Sequence, residues 1–203
     1  MNDEKEQAEA AEAARRALDE RDAELVERLG AGDSRALDEL FRRHRDAAYG
    51  IAFRLLGNSE DALDAVQEAF IHVLRGISGF RGQSTFRTWL YRIVTHAALD
   101  YRRWRAVRAA GSLDTEAGIE PAATGNREHS PPEEAAAGDL KEAIDKTLMN
   151  ISEKNRAALV LHAIEGMSYK EVADVLGISI GTVMSRIFNA RRRLRELLAS
   201  EIG

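Results

Sequence analysis

The stretch SYKEVADVLGISIGTVMSRIFNARRR, from Ser168 to Arg193, decides how the rest of the chain is read. Ser168 and Glu171 stand at the spacing of a capping box, so a helix is predicted to start at Tyr169 and to send Val172, Ala173 and Leu176 inward. Gly177 ends that helix, Ile178 plugs the turn, and Ser179 is placed to cap a second helix. The second helix carries Ile180, Val183, Ile187, Ala190, Leu194 and Leu197 on one face. Its other face presents Thr182, Ser185, Arg186, Asn189, Arg192 and Arg193. A helix, a glycine turn and a second helix with polar groups near its start is the helix-turn-helix arrangement, whose second helix reads the edges of bases in the major groove. Arg and Asn can read bases, while Ser and Thr can anchor phosphates. If Arg191, Arg192 and Arg193 merely solvated a helix end, the turn, the two caps and the polar stripe would be left unexplained.

Working outward, 141–203 forms one helical unit, with apolar positions at Ile144, Leu148, Ile151, Leu159, Leu161 and Ile164 before the helix-turn-helix. Residues 111–140 contain all three prolines and no apolar period, which is the composition of a flexible linker. Upstream, 25–110 reads as a second small domain. A helix capped at Asp33 carries Leu37, Leu40, Phe41, His44, Ala48, Ile51, Ala52 and Leu55. Gly57, Asn58 and Ser59 break it and cap the next, whose apolar side is Leu63, Val66, Phe70, Val73, Leu74 and Ile77. A loop over 76–84 leads to a third long helix, about 85–105, with Leu90, Ile93, Val94, Ala97, Ala98, Tyr101 and Trp104 along one side. Residues 1–24 read as an acidic, solvated N-terminal extension without a continuous apolar face. The expected fold is therefore all-α: two small helical domains joined by a flexible linker, the C-terminal one a helix-turn-helix.

The 203 residues are 44% apolar and 31% charged, enough for a sizeable core, and Ala, Leu, Arg and Glu favour helix over sheet. With no cysteine, disulfides, thiolate catalysis and Cys-ligated metals are excluded. The first residues lack the apolar run of a signal peptide and no run is long enough for a bilayer, so no membrane insertion and a cytoplasmic location are expected. The net charge of −5 is divided unevenly: 1–24 carry −5 and 111–140 carry −6, whereas 25–110 carry +4 and 141–203 carry +2. Both folded parts are basic, as nucleic-acid binding requires. The histidines His44, His72, His96, His129 and His162 show no metal-binding spacing, and no nucleophile elbow or phosphate loop occurs, so neither enzyme chemistry, metal nor cofactor is expected. His44 lies on an apolar stripe and is read as a satisfied core residue.

Two further features of the first domain carry chemistry. Phe80, Phe86, Trp89, Tyr91, Tyr101 and Trp104 are interleaved with Arg81, Arg87, Arg92, Arg102 and Arg103. Aromatic platforms with cationic neighbours hold single-stranded or flipped bases, although aromatics of a small helical domain also serve as core. Glu60, Asp61, Asp64, Gln67 and Glu68 form an acidic strip on the second helix, either an ordinary solvated face or a docking surface for a basic partner.

Taken together, these segments resemble the bacterial sigma factors of the sigma-70 family, in the small extracytoplasmic-function (ECF) group. Gly32-Asp33, 36–41, 64–70, Ser84-Thr85-Phe86-Arg87-Thr88-Trp89-Leu90-Tyr91-Arg92-Ile93 and Asp100-Tyr101-Arg102-Arg103 are similar to its promoter-melting domain, region 2. Gly181 to Ile187 with Ala190-Arg191 is similar to its C-terminal helix-turn-helix, region 4.

The resemblance implies a subunit that binds core RNA polymerase, directs it to promoters, helps open the duplex and then leaves. By analogy Asp61, Asp64, Gln67 and Glu68 would dock on the clamp helices of the largest subunit. Arg81, Ser84, Thr85, Phe86, Arg87, Trp89, Arg92, His96, Arg102 and Arg103 would take and melt the minus-ten element. Ser179, Thr182, Ser185, Arg186, Phe188, Asn189, Arg192 and Arg193 would take the minus-thirty-five element of promoter DNA, and the second domain would also touch the polymerase flap. An anti-sigma factor would hold the chain inactive. His96 stands where the family usually has Asn, four residues before Asp100, and Asn189 stands where Arg is common; these departures bear on the captured base and on the minus-thirty-five preference. The extension has no family role, and one expectation is that it screens the basic faces when polymerase is absent. The rival reading is a helix-turn-helix regulator that binds an operator without polymerase, as symmetric dimers on half-sites.

Overall fold

Asp33 and Gly57 bracket the first core helix. The Asp33 carboxylate accepts from the Arg35 amide at 3.0 Å, and Gly57 closes the far end in the left-handed region at φ 75°. In the computed structural model, which describes residues 2–111 and 143–202, this helix is α2 (Ser34–Leu56). It is preceded by α1 (Asn2–Gly30) and followed by α3 (Ser59–Gly76) and α4 (Phe86–Gly111). Asn58 caps α3 by accepting from the amides of Glu60 and Asp61 at 2.8 and 3.0 Å. The Thr85 hydroxyl accepts from the Thr88 amide at 3.1 Å and opens α4. Alanines buried on α2 and α3 (Ala36, Ala48, Ala52, Ala62, Ala69) let the helices approach closely around Leu40, Ile51, Leu55, Val73, Leu90 and Val94.

The second unit begins with a helical segment over 143–149, α5. Then come α6 (Glu153–Leu159), a π-turn over Val160–Ile164, α7 (Tyr169–Leu176) and α8 (Ile180–Ile202). The capping box of α7 is complete: the Ser168 hydroxyl accepts from the Glu171 amide, and the Ser168 amide donates back to Glu171 Oε2 at 2.8 Å. Gly177 takes φ 64° at its end, and Ser179 Oγ accepts from the Thr182 amide at 3.2 Å to open α8. The described residues form an all-α structure with no strand, in two helical units. The expected linker, apart from Gly111 at the end of α4, lies outside the described residues.

The two units pack on each other, and their buried apolar side chains form one cluster. Helix α4 lies against α7, and α2 against α6. At Gly57 the end of α2 also meets α5, where a Cβ would come 2.7 Å from Met149 Sδ.

Several side chains lie elsewhere than the pattern placed them. Leu63, Leu74, Trp104 and Ile180 were expected inside and are about half exposed, and Phe41 is also exposed. The interior of α3 is formed by Ala62, Ala65 and Ala69 together with Val66, Phe70 and Val73. The extension is not merely solvated: α1 packs on α2, and Asp22 is buried with its Oδ2 2.6 Å from His44 Nε2. His44 is thus the satisfied core histidine expected, and its partner comes from the segment expected to be free.

Candidate nucleic-acid interface

The capped α7–turn–α8 unit fixes the polar stripe of α8 by burying the opposite face: Val183, Ile187 and Ala190 are almost fully buried. Thr182, Ser185, Phe188, Arg192 and Arg193 are exposed, and Arg186 and Asn189 are half-buried. Phe188 is 67% exposed, an unusual position for a phenylalanine that no neighbour covers. Beside it Tyr169, Met184, Ser185 and Asn189 line a shallow groove. Ser179 is engaged in the cap, with Thr182 Oγ1 2.9 Å from its hydroxyl, and Ser185 donates to the Gly181 carbonyl at 3.0 Å. Arg193 pairs with Glu196 at 3.3 Å, and Arg192 lies 3.9 Å from the same carboxylate. The stripe offers a hydrogen-bonding and cationic row with one apolar knob, suited to base edges and thymine methyls.

On the first unit, α3 and α4 enclose an open groove of about 850 Å³ lined by Asp64, Glu68, His72, Trp89, His96 and Trp104, among others. Two groups of candidate residues therefore meet: the acidic strip forms one wall, and Trp89 and His96 the other. Trp89 is held by Phe80 and Phe86, with ring centres 5.0 and 6.0 Å away. Arg81 and Arg103 are exposed, Ser84, Thr85, Arg92 and Arg102 half-buried, and Arg103 pairs with Asp100 at 3.3 Å.

Three candidates are placed differently from the rest. Asp61 is buried rather than part of the open strip: it accepts from Tyr101 Oη at 2.8 Å and from Arg105, tying α3 to α4. That bond holds the Tyr101 hydroxyl above its ordinary pKa. Phe86 is only 2% exposed, its ring packed against His44 and Trp89, so it supports the groove from beneath instead of facing it. Arg87 is turned to the second unit, with Nη2 donating to Glu171 Oε1 at 3.1 Å.

Sequence reasoning missed the residues that join the units. Arg15 donates to the Gly166 carbonyl and to Glu171 Oε2, both at 2.6 Å. Arg54 pairs with Asp145 at 2.9 Å, and Arg156, fully buried, reaches the Leu55 carbonyl at 2.9 Å. These are polar contacts between residues 91 to 156 positions apart, and no local period signals them. Among the described residues no cluster of three or more His, Cys, Asp or Glu could hold a metal ion, and no helix is long and apolar enough to cross a membrane.

Two family models match the chain: Sigma-70 region 2 over residues 40–118, and Sigma-70, region 4 over residues 141–194. The second contains α7, the turn and α8 as far as Leu194, and the first contains the α3–α4 groove. The chain belongs to the sigma-70 family. Among curated relatives, the RNA polymerase sigma-H factor of Pseudomonas aeruginosa is 37% identical over 185 residues, covering 88% of this chain and 94% of the relative. The ECF RNA polymerase sigma factor SigE of Mycolicibacterium smegmatis is 40% identical over 171 residues, 83% of this chain and 65% of that one. The ECF RNA polymerase sigma-E factor of Escherichia coli is 35% identical over 176 residues, 85% and 92%. Among solved structures, CnrH in complex with the cytosolic domain of CnrY aligns with TM-score 0.65 at 29% identity, over 88% of this chain and 97% of that chain. The sigma factor RpoE in complex with the anti-sigma factor NepR from Bartonella quintana aligns with TM-score 0.67 at 26% identity, over 80% and 96%. The chain is an ECF-type sigma factor, and α1, which carries Arg15 and Asp22, lies outside both matched regions.

Proposed function

We propose that this ECF sigma factor binds core RNA polymerase, brings it to promoters and helps open them, with its two helical units doing separable work. Region 2, about 25–110, docks on the clamp helices of the largest subunit through exposed Asp64, Gln67 and Glu68. It takes the minus-ten element along Arg81, Ser84, Trp89, Arg92, His96, Arg102 and Arg103. Region 4, 141–203, takes the minus-thirty-five element through Thr182, Ser185, Arg186, Phe188, Asn189, Arg192 and Arg193, and also meets the polymerase flap. Residues 111–140 tether the two.

One observation supports this reading above the others: a single chain carries an exposed recognition helix on one unit and an acidic strip facing an aromatic, histidine-bearing groove on the other. An acidic strip repels phosphate and suits a basic protein surface. The adjoining Trp89 offers a face on which an extruded base can stack. Two weak readers on one tether gain affinity once both are held on polymerase, through effective concentration. The free chain then binds promoter DNA weakly. It is an initiation factor in the cytoplasm with no reaction of its own. An anti-sigma factor is its expected restraint, as the complex of the similar sigma factor RpoE with the anti-sigma factor NepR suggests by analogy.

The test is transcription from a library of genomic fragments by sigma-free core polymerase. Discrete transcripts that need both proteins support the proposal. Specific duplex binding by the chain without any affinity for polymerase would instead make it an operator-binding regulator.

A further inference from the structure

The face that Trp89 offers to a base is set by what stands behind the ring. Phe80 lies 5.0 Å from its centre, and Phe86 lies 6.0 Å away at an interplanar angle of 64°. Gly76 closes the back, where a Cβ would meet Trp89 Cζ2 at 3.2 Å. Phe86 is almost fully buried, and its ring leans on the imidazole of His44, 5.4 Å away and tilted by 54°. The imidazole is fixed in turn, because His44 Nε2 is 2.6 Å from Asp22 Oδ2 and both residues are buried. An ionised carboxylate only accepts, so Nε2 carries the hydrogen, and the bond is strong where no water competes. The other carboxylate oxygen accepts from Arg43 at 3.3 Å, and Arg43 is also held by Glu39. Asp22 belongs to α1, which packs as well on the turn Ile77–Gly79 that leads into Phe80. Helix α1 thus stands behind Trp89 on two sides.

We propose that Asp22 and His44 are positioning residues for the minus-ten site: the Asp22 carboxylate fixes the His44 ring, His44 backs Phe86, and Phe86 with Phe80 sets the plane on which Trp89 receives an extruded base. This deepens the sigma-factor reading of the α3–α4 groove and rests on that reading for its ligand, single-stranded DNA. Asp22 and His44 do not line the groove, so they act on the base only through Phe86 and Trp89. A ring left free to rock must be immobilised when the base stacks, and the stacking is weakened by that ordering cost. Without Asp22, His44 loses the bond that fixes its plane, and Phe86 loses a rigid backing. The relay gives a part in promoter opening to a helix that lies outside both matched regions.

The experiment uses the full chain with W104F, which leaves Trp89 as the one tryptophan and serves as the reference for every further variant. D22A cuts the relay at its start. H44Q keeps a donor for Asp22 but removes the ring behind Phe86, and D22N keeps an oxygen that accepts from Nε2. Thermal melting shows which variants are folded, and all measurements are made well below their transitions. Anisotropy decay and acrylamide quenching report the freedom of Trp89. Affinity is measured for core polymerase, and for a random single-stranded oligodeoxynucleotide with the free chain and with holoenzyme. The relay predicts that D22A and H44Q loosen Trp89 and weaken single-strand binding about fivefold or more, the lower end of what one stacked base contributes. Affinity for core polymerase stays at the reference value, and D22N keeps Trp89 fixed. Unaltered Trp89 signals in D22A, or in H44Q if D22A does not fold, overturn the relay. A loosened Trp89 with unaltered single-strand affinity overturns its service to DNA, and an equal loss of polymerase affinity shows general softening of the first unit and overturns positioning. Failure of the chain to bind core polymerase would remove the sigma-factor reading while leaving the free chain's Trp89 signals to judge the relay by themselves.

Discussion

Arg156 of the second unit donates to the carbonyl of Leu55 in the first, 2.9 Å away, at the C-terminal end of α2. Its side chain is fully buried, and its other contacts are the Leu148 carbonyl and the Met149 sulfur. A helix C-terminus carries partial negative charge, so it suits a buried guanidinium, and Arg102 Nη1 reaches the same carbonyl at 3.0 Å. R156A removes a large buried side chain and its bonds together, and an unfolding free energy lower by about 2–4 kcal/mol is expected. Urea denaturation measures this, and a change below about 0.5 kcal/mol would contradict the packing described.

Asp61 and its neighbours on α3 are expected to separate by phenotype. D61A removes the buried carboxylate on which Tyr101 and the exposed Arg105 converge and costs about 1–3 kcal/mol of stability. D64A, Q67A and E68A change exposed side chains, so stability moves by no more than about 0.5 kcal/mol while affinity for core polymerase falls. Melting curves paired with polymerase titrations distinguish the two groups. Equal losses of affinity without loss of stability across all four would place Asp61 back in the docking strip.

The capping box, both caps of the helix-turn-helix and the burial of His44 were legible because each depends on residues within four positions of one another or on a 3.6-residue period. The role of α1 was not. Asp22, Leu25, Val26 and Leu29 form a short inward stripe, but the flanking charges of 1–24 hide it and the apparent boundary of the extension cuts through it. Phe86 and Asp61 were misplaced for a related reason. Each belongs by composition to a functional-looking cluster, and only tertiary packing shows that Phe86 turns under Trp89 and Asp61 turns toward Tyr101. The two units share one apolar cluster, and the polar side chains that add to their closure, such as Arg156, lie far from their partners in sequence and carry no pattern.

On α8, the exposed positions should divide into readers and anchors. N189A and F188A are expected to cost about 1–3 kcal/mol of discrimination at one position each of the minus-thirty-five element. R192A should weaken binding evenly across sequences and lower the salt slope by about 0.9. Competition binding against single-base variants of a recovered promoter, in holoenzyme, measures both. Sequence-independent loss in F188A would move that ring from reader to scaffold.

The Glu171 junction predicts a pH dependence with a definite sign. Burial by itself would raise this carboxyl, but bonds from the Ser168 amide and hydroxyl and from Arg15 outweigh it and hold the pKa below the ordinary 4.5. The stabilisation is therefore fully present above 4.5 and is lost as the pH falls through the lower folded-state value. E171Q keeps a side chain that can complete a capping box but loses the ion pairs. The stability gap between parent and E171Q should be open at pH 7 and close in acid, and a gap constant with pH would show that the charge of Glu171 contributes nothing.

This chain is expected to open promoters only as part of RNA polymerase. The direct measurement is permanganate reactivity of thymines across the minus-ten region of a recovered promoter, with the chain, core polymerase, or both. Reactive thymines only when both proteins are present is the predicted result. A duplex that stays closed with both proteins, or a chain that protects its site without binding polymerase, would contradict it.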